Sequence, residues 1–239
     1  MKLDSYNSKL ALLSVILVIT VFATFQLSFR NNIPTCNRYV INVYMYLFLA
    51  LLLFAMTILV AGKLNIALTE TKSLIFLAIA FVALFALSSV QPQQVVLNHI
   101  IWLVFIVSLA MSVYPSWRYS QHSGTITTTI ITTTILVAIL TAVVFWKPEW
   151  IRLSWQSTLS ILLLGALIAS IVPILFNINV GSNYQRLISI FFVGLFSMFL
   201  LVDTKRVIAK SLVCEYPDYP RDSVGLFVDV LVLASANSG

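Results

Sequence analysis

Two aspartates are the residues of this 239-residue chain whose type and position could do chemistry. Asp203 ends a long apolar run, and Asp229 lies inside the next, shorter one. An ionisable side chain at membrane depth is costly unless it faces protein or water, so a chain that keeps one is usually using it. The two aspartates are therefore the leading candidates for a functional site.

The order of the chain allows these two carboxylates to meet. If the chain re-enters the membrane near Val224, Asp229 lies five residues, about 7.5 Å, along the returning helix. Carboxylates that share a partly desolvated pocket resist double ionisation, which predicts a proton-dependent switch. The alternative is a simple interfacial ion pair of Asp203 with its sequence neighbours Lys205 and Arg206.

Two further polar features lie in or beside apolar runs. His99 is either an interfacial, hydrogen-bonded residue or part of a proton path. The threonine-rich stretch 125–134 either packs against neighbouring helices through self-satisfied hydroxyls or forms the weakly polar wall of a water-accessible path. In the second interpretation, the pore-lining candidates are the threonines that fall near one helical face. They are Thr125, Thr129, Thr132 and Thr133.

The composition is that of an integral membrane protein. The chain is 60% hydrophobic and 9% charged, with a mean hydropathy of +1.01. Its net charge of +6 comes from Lys and Arg in short links, where they anchor spans at the headgroups, so we expect no nucleic-acid partner. Cys36 and Cys214 lie in predicted links without a CxxC motif, and we interpret them as two free thiols.

Eight apolar runs, bounded by charge, proline or asparagine, are candidates for membrane helices. They cover residues 10–29, 40–61, 74–90, 95–114, 126–146, 159–176, 187–202 and 224–236. We expect the first seven to cross the bilayer, and the eighth to be re-entrant or to cross with help from its neighbours. Turn chemistry, as at Tyr114-Pro115, predicts short links. The expected fold class is an all-α polytopic membrane protein without a soluble domain.

Charges in alternate links predict the orientation. Eight Lys and Arg lie in the links after odd-numbered runs, against six at the N-terminus and in the other links. Since positive residues favour the cytosolic face, this weak bias places the loop of residues 204–223 in the cytosol and the N-terminus on the opposite side.

The C-terminal third resembles a known family. The run from Val193 to Ile208, VGLFSMFLLVDTKRVI, and the run from Asp218 to Leu231, DYPRDSVGLFVDVL, are similar to the C-terminal signature of the Bax inhibitor-1 family, also called the transmembrane Bax inhibitor motif family. That signature has an apolar span ending in Asp-Thr, a Tyr-containing link, and the sequence Leu-Tyr-Leu-Asp. In the last of these, Phe227 of this chain replaces the usual Tyr. The compact link also looks like versions encoded by large DNA viruses.

The resemblance implies a seven-helix bundle that conducts calcium down its gradient and is gated by pH through a di-aspartyl pair. Asp203 and Asp229 occupy the positions of that pair, and they would also bind the permeating calcium transiently. No other cofactor is implied. The family further implies residence in the endoplasmic reticulum, the Golgi or a viral membrane, an anti-apoptotic role, and partners among cell-death regulatory membrane proteins.

This sequence departs from the family pattern in two places. The family fold would start near Val40, so we expect an extra N-terminal transmembrane helix and link, residues 1–39, before a Bax inhibitor-1-like domain, residues 40–239. Bacterial relatives latch the aspartates with an arginine on the second family span. The corresponding run here, residues 74–90, contains no Arg or Lys, which puts gating by such a latch in doubt.

Two other functions compete with the channel. A regulatory or structural membrane protein that binds host membrane proteins would need no ion path. An intramembrane aspartyl protease also needs two membrane aspartates that share a proton. However, the expected Gly-x-Gly-Asp is absent, because Gly225 stands four residues before Asp229. We therefore expect no enzymatic activity.

Overall fold

The structure is a computed structural model that describes residues 2–31, 33–123, 126–176, 178 and 181–237. Each of the eight apolar runs lies in an α-helix, to within one residue at its C-terminal end. In chain order, the elements are α1 (Lys2–Ser28), β1 (Phe29–Arg30), β2 (Ile33–Pro34), α2 (Tyr39–Lys63), α3 (Glu70–Ser89), α4 (Val95–Ser123), α5 (Ile126–Trp146), a 3-10 turn (Pro148–Trp150), α6 (Trp155–Leu175), α7 (Ser182–Leu212) and α8 (Tyr219–Asn237). The two short strands pair antiparallel in the link between α1 and α2.

Within the described residues, seven helices, α1 to α7, are long and apolar enough to cross a membrane. The helix α8 is not one of these seven, since Arg221 and Asp222 lie in its first turns and Asp229 near its middle. The prediction of an all-α polytopic membrane protein is confirmed.

The chain forms two compact units. The first contains Met1–Ser123 and Lys210–Val224, and the second contains Gly124–Ala209 and Gly225–Gly239. The helices α7 and α8 contribute residues to both units.

In the first unit, α2 packs against α1 and α4, and α3 packs against α4. The buried side chains of α1 include Thr20, Thr24 and Ser28, which recur every four residues and so form one small, polar face. On α2 and α4, Ala61 and Ala110 are almost completely buried in one cluster. Small residues let helix backbones approach closely where lipid gives no hydrophobic drive for association.

The helix α4 is longer than predicted, because Tyr114-Pro115 is not a turn. Pro115 lies inside the helix, which continues to Ser123. A proline frees carbonyl groups in the preceding turn, and a membrane helix tolerates this only if another group satisfies them. Here the Ser112 carbonyl, three residues before the proline, accepts a hydrogen bond at 2.5 Å from the Ser73 hydroxyl on α3, while the carbonyl that Pro115 itself leaves without its helical donor is that of Met111.

The second unit contains a similar arrangement at Pro173, inside α6. The hydroxyl of Tyr184 on α7 donates to the carbonyl of Ala169, four residues before this proline, at 2.7 Å. The core of this unit includes buried apolar side chains of α7 and α8. They include Leu195, Phe196, Phe199, Leu200, Phe227 and Leu233.

Candidate functional site: an aspartate pair

The helix α7 carries Asp203 one turn before Arg206. The Asp203 side chain is 16% exposed, and its Oδ1 lies 3.5 Å from Nη1 of Arg206. Residues three apart are neighbours on a helix surface, so this ion pair is local to α7. The interfacial ion pair that the sequence offered as an alternative is therefore present, and the arginine in it comes from α7.

The other carboxylate oxygen of Asp203 lies against α8 at Gly225. A Cβ atom added at Gly225 would lie 2.5 Å from Asp203 Oδ2, well inside van der Waals contact, and 3.4 Å from its Cγ. Only glycine permits this approach, because it has no Cβ. Asp229 follows Gly225 by four residues and so occupies the same face of α8, one turn further on.

Asp229 is nearly enclosed by protein, with 4% of the residue exposed. Its Oδ2 atom is buried without a hydrogen-bond partner in the described part of the chain. Burial raises the pKa of the Asp229 carboxyl well above its usual range, the charge of Asp203 raises it further, and Arg206 lowers it. This environment favours a proton on Asp229 and a charge on Asp203, which has Arg206 beside it.

Lys205, the second basic residue considered for the pair, has a different role. Its ammonium group donates to the carbonyl of Pro148 at 2.6 Å and to the carbonyl of Ile151. These carbonyls belong to the link between α5 and α6. Lys205 therefore connects α7 to that link, whereas Arg206 forms the ion pair with Asp203.

The threonine-rich stretch is helical, but its described threonines do not all share one environment. Thr129 and Thr133, four residues apart, are buried. Thr132 is exposed, and its hydroxyl donates to the Thr128 carbonyl at 2.9 Å, as self-satisfied threonines in a membrane helix do. Thr125 lies outside the described residues. A pore-lining role for this stretch stays a prediction.

His99 lies in the first unit and is fully hydrogen-bonded. Its Nδ1 donates to the Val95 carbonyl at 2.7 Å, and Nε2 lies 2.6 Å from the Tyr46 hydroxyl. A carbonyl can only accept, so Nδ1 is the donor to Val95, and each ring nitrogen has a partner. This arrangement matches the interpretation of His99 as a hydrogen-bonded residue.

The prediction of two free thiols is wrong. Cys36, in the link between α1 and α2, forms a disulfide bond with Cys214, in the connector between α7 and α8. The two residues are 178 positions apart in sequence. Because pairing depends on proximity in the fold, neither cysteine carries a local sequence signal for it.

Sequence reasoning also missed a polar network around the connector, residues 213–218. The carboxylate of Asp222 accepts hydrogen bonds from the Tyr39 hydroxyl and the Lys210 ammonium. The Tyr219 hydroxyl donates to the carbonyl of Thr35 and accepts from Asn42 at 3.0 Å. These bonds join the ends of α7 and α8 to the start of α2.

Arg221 joins the same network to the end of α3. Its guanidinium donates to the Leu87 carbonyl at 2.7 and 3.0 Å and to the Val90 carbonyl, so it satisfies groups that a helix end leaves unpaired. It also lies 3.3 Å from Oδ2 of Asp218. Burial raises the pKa of Asp218, and the Arg221 charge only partly opposes this rise.

The described residues contain no group of three or more His, Cys, Asp or Glu side chains placed to hold a metal ion. Calcium is usually bound by six to eight oxygens, which two aspartates cannot supply alone. The pair could therefore hold calcium only weakly, with help from water or other oxygens.

Comparison with protein families identifies the family of this chain. A family model described as "Inhibitor of apoptosis-promoting Bax1" matches residues 36–234. The matched region begins after α1 and contains both aspartates of the pair and both cysteines of the disulfide. No curated protein and no solved structure matches this chain significantly.

Proposed function

Because this chain belongs to the Bax inhibitor-1 family, whose members are anti-apoptotic membrane proteins, we propose that it is a pH-sensitive calcium leak channel gated by Asp203 and Asp229. In this proposal it acts in an internal membrane, such as that of the endoplasmic reticulum or the Golgi. A calcium leak there would lower the stored calcium that cell-death signals can release.

One observation carries the proposal. The Asp203 carboxyl is seated against Gly225, and on the same face of α8, one turn away, Asp229 presents a buried carboxylate oxygen without a described hydrogen-bond partner. Such an oxygen is costly to leave unsatisfied, and a proton shared between the two groups would remove that cost. Two carboxylates in this relation hold one proton readily and lose it with difficulty.

The shared proton can set the state of a gate. When it is bound, one carboxyl donates a hydrogen bond to the other, and α7 and α8 are braced at this point. When it is lost, two negative charges face each other, and the same helices repel. One of the two gate states therefore requires the proton, and the calcium leak follows pH.

The weak calcium affinity expected of the pair suits conduction. An ion must bind well enough to enter a path and weakly enough to leave it. Two carboxylates assisted by water and hydroxyl oxygens meet that requirement, whereas a complete calcium cage would trap the ion.

Calcium flux through the purified full chain in liposomes tests the proposal. Flux would be measured from about pH 5 to about pH 8, against liposomes without protein and with the Asp203→Asn and Asp229→Asn variants. We expect a pH-dependent leak in the wild type alone. No leak at any pH would contradict the channel and favour the competing function, a regulatory membrane protein that acts by binding other membrane proteins.

A further inference from the structure

We propose that Cys36 and Cys214 form a reversible redox site, whose reduction by a thiol compound such as glutathione loosens the connector between α7 and α8 and changes the leak. The regulatory part of this inference rests on the proposed channel function. The redox part is a property of the first unit alone.

The disulfide is placed where thiol reagents can reach it. Both cysteines are half-buried rather than enclosed, and they lie in links between helices. Their neighbourhood is open, since Val213 is 78% exposed and Tyr216 is 62% exposed. Exposed disulfides are the ones that exchange with thiols, whereas buried structural ones resist reduction.

Hydrogen bonds beside the disulfide also join its two segments. The carbonyl of Thr35, next to Cys36, accepts a hydrogen bond from Tyr219, five residues beyond Cys214. On the same side, Asp222 accepts from Tyr39 and Lys210. After reduction, these contacts keep the two thiols close, so the effective concentration of one thiol at the other stays high and the bond can form again.

Thiol–disulfide exchange between the reductant and the Cys36–Cys214 bond needs no further reactant. A thiolate of the reductant attacks one cysteine sulfur, forms a mixed disulfide and releases the other cysteine as a thiolate. A second reductant thiol attacks the mixed disulfide and releases the first cysteine. Two electrons and two protons pass to Cys36 and Cys214, and the reductant leaves as a disulfide; oxidised glutathione drives the reverse reaction.

Reduction leaves the connector with hydrogen bonds and ion pairs alone. These can open transiently, whereas a covalent bond cannot, so the first turns of α8 and the last turns of α7 gain freedom. The helix α7 leads into the connector from Asp203, and α8 leads from it to Asp229. A change in the freedom of the connector therefore changes how often the two aspartates are held together.

The test uses the full chain in calcium-loaded liposomes, equilibrated with buffers of reduced and oxidised glutathione. The sequence contains two cysteines in total, so thiols counted by maleimide labelling report this bond alone. We expect no thiols in the oxidised buffer, two in the reduced one, and return to none on re-oxidation. We also expect the leak at fixed pH to differ by about fivefold or more between the two buffers.

The Cys36→Ser, Cys214→Ser double variant is the matched control, because its calcium leak should be the same in reduced and oxidised glutathione. A bond that stays closed in reduced glutathione overturns the redox site. A bond that opens while the leak stays constant overturns the regulation.

If wild-type protein shows no leak in either buffer, the channel proposal has failed. Maleimide labelling still decides the redox site, and hydrogen exchange decides whether its reduction loosens the connector. Faster exchange in the connector and in residues 35–42 on reduction supports that loosening, and unchanged exchange there overturns it.

Discussion

Gly225 on α8 lies directly against the carboxyl group of Asp203 on α7, in a space that the smallest side chain would already fill. This contact defines how closely the two helices approach at the aspartate pair. It also makes a glycine, which cannot titrate or bind an ion, part of the site.

Replacing Gly225 with alanine should therefore disturb the pair without removing a charge. The new methyl group would force the Asp203 carboxyl to move, which should alter the pH profile of calcium flux in liposomes. Gly194→Ala on α7 is the matched control, since nothing lies within 4 Å of a Cβ added there. Both substitutions replace a helical glycine with alanine and so raise the helix propensity by the same amount. Identical flux profiles in the two variants would therefore contradict a role for the close contact.

Asparagine at either aspartate should abolish the pH dependence of flux. An amide keeps the size and hydrogen-bonding capacity of the carboxyl group but cannot titrate. If one short hydrogen bond braces a gate state, its loss should shift the gate by about 1 to 3 kcal/mol, and the double variant should add little to either single one. Wild-type pH curves in both Asp203→Asn and Asp229→Asn would refute the switch and leave His99 as the next titrating group to test.

Arg206→Gln should move the midpoint of the flux profile to higher pH. Arg206 lowers the pKa of Asp229, so without the guanidinium the shared proton should be held at higher pH. Lys205→Gln removes the same charge one residue away, but its ammonium binds carbonyls of the α5–α6 link. We expect this second variant to change thermal stability more than the flux midpoint. Equal midpoint shifts would indicate a general charge effect.

The buried Asp218 should make stability depend on pH. Its folded-state pKa is raised, so the folded protein binds this proton more tightly than the unfolded chain does. The wild type should therefore lose stability relative to Asp218→Asn as pH rises through the folded-state pKa of Asp218. Thermal unfolding in detergent, measured at several pH values for both proteins, checks this. A difference that is constant with pH would contradict it.

Deleting residues 1–32 should leave a folded, flux-competent protein. Most described side chains of α1 face outward, and the Leu27 carbonyl accepts a hydrogen bond from Asn42 at 3.3 Å. Asn42 also donates to Asn37 and Tyr219, so the start of α2 keeps partners. A monodisperse peak in size-exclusion chromatography together with retained flux would bear this out. Aggregation would show that α1 fills a necessary place against α2.

The sequence was sufficient to predict the helices and to select the aspartates. Apolar runs of membrane length are a strong and local signal, and each of the eight runs lies in a helix. Asp203 and Asp229 were found because charge is rare in such runs. The end of α4 was mispredicted because Pro115 is a local turn signal, whereas in the structure it lies inside the helix, beside a contact of Ser112 with Ser73 of another helix.

The connector network could not be predicted, because most of its links join residues that are far apart in sequence. The disulfide joins residues 178 positions apart, and Arg221 reaches carbonyls of α3 more than a hundred residues earlier. Periodicity and composition describe a segment and its own faces, not which distant segment lies beside it. Lys205 gives another example. It lies two residues from Asp203 in sequence, but its side chain points to the α5–α6 link, which sequence proximity could not reveal.

The prolines inside α4 and α6 have a consequence for how this protein selects its helix pairs. In a bilayer, the apolar faces of different helices are nearly interchangeable, and so is their relative depth. A carbonyl that accepts a hydrogen bond from a neighbouring helix is not interchangeable, because its donor must lie at one height in the hydrocarbon. Ser73 meets Ser112, and Tyr184 meets Ala169, only when α3 is aligned with α4 and α6 with α7. Each of these hydrogen bonds, formed in the turn before a proline, thus opposes vertical slippage of the two helices and fixes the register of the pair.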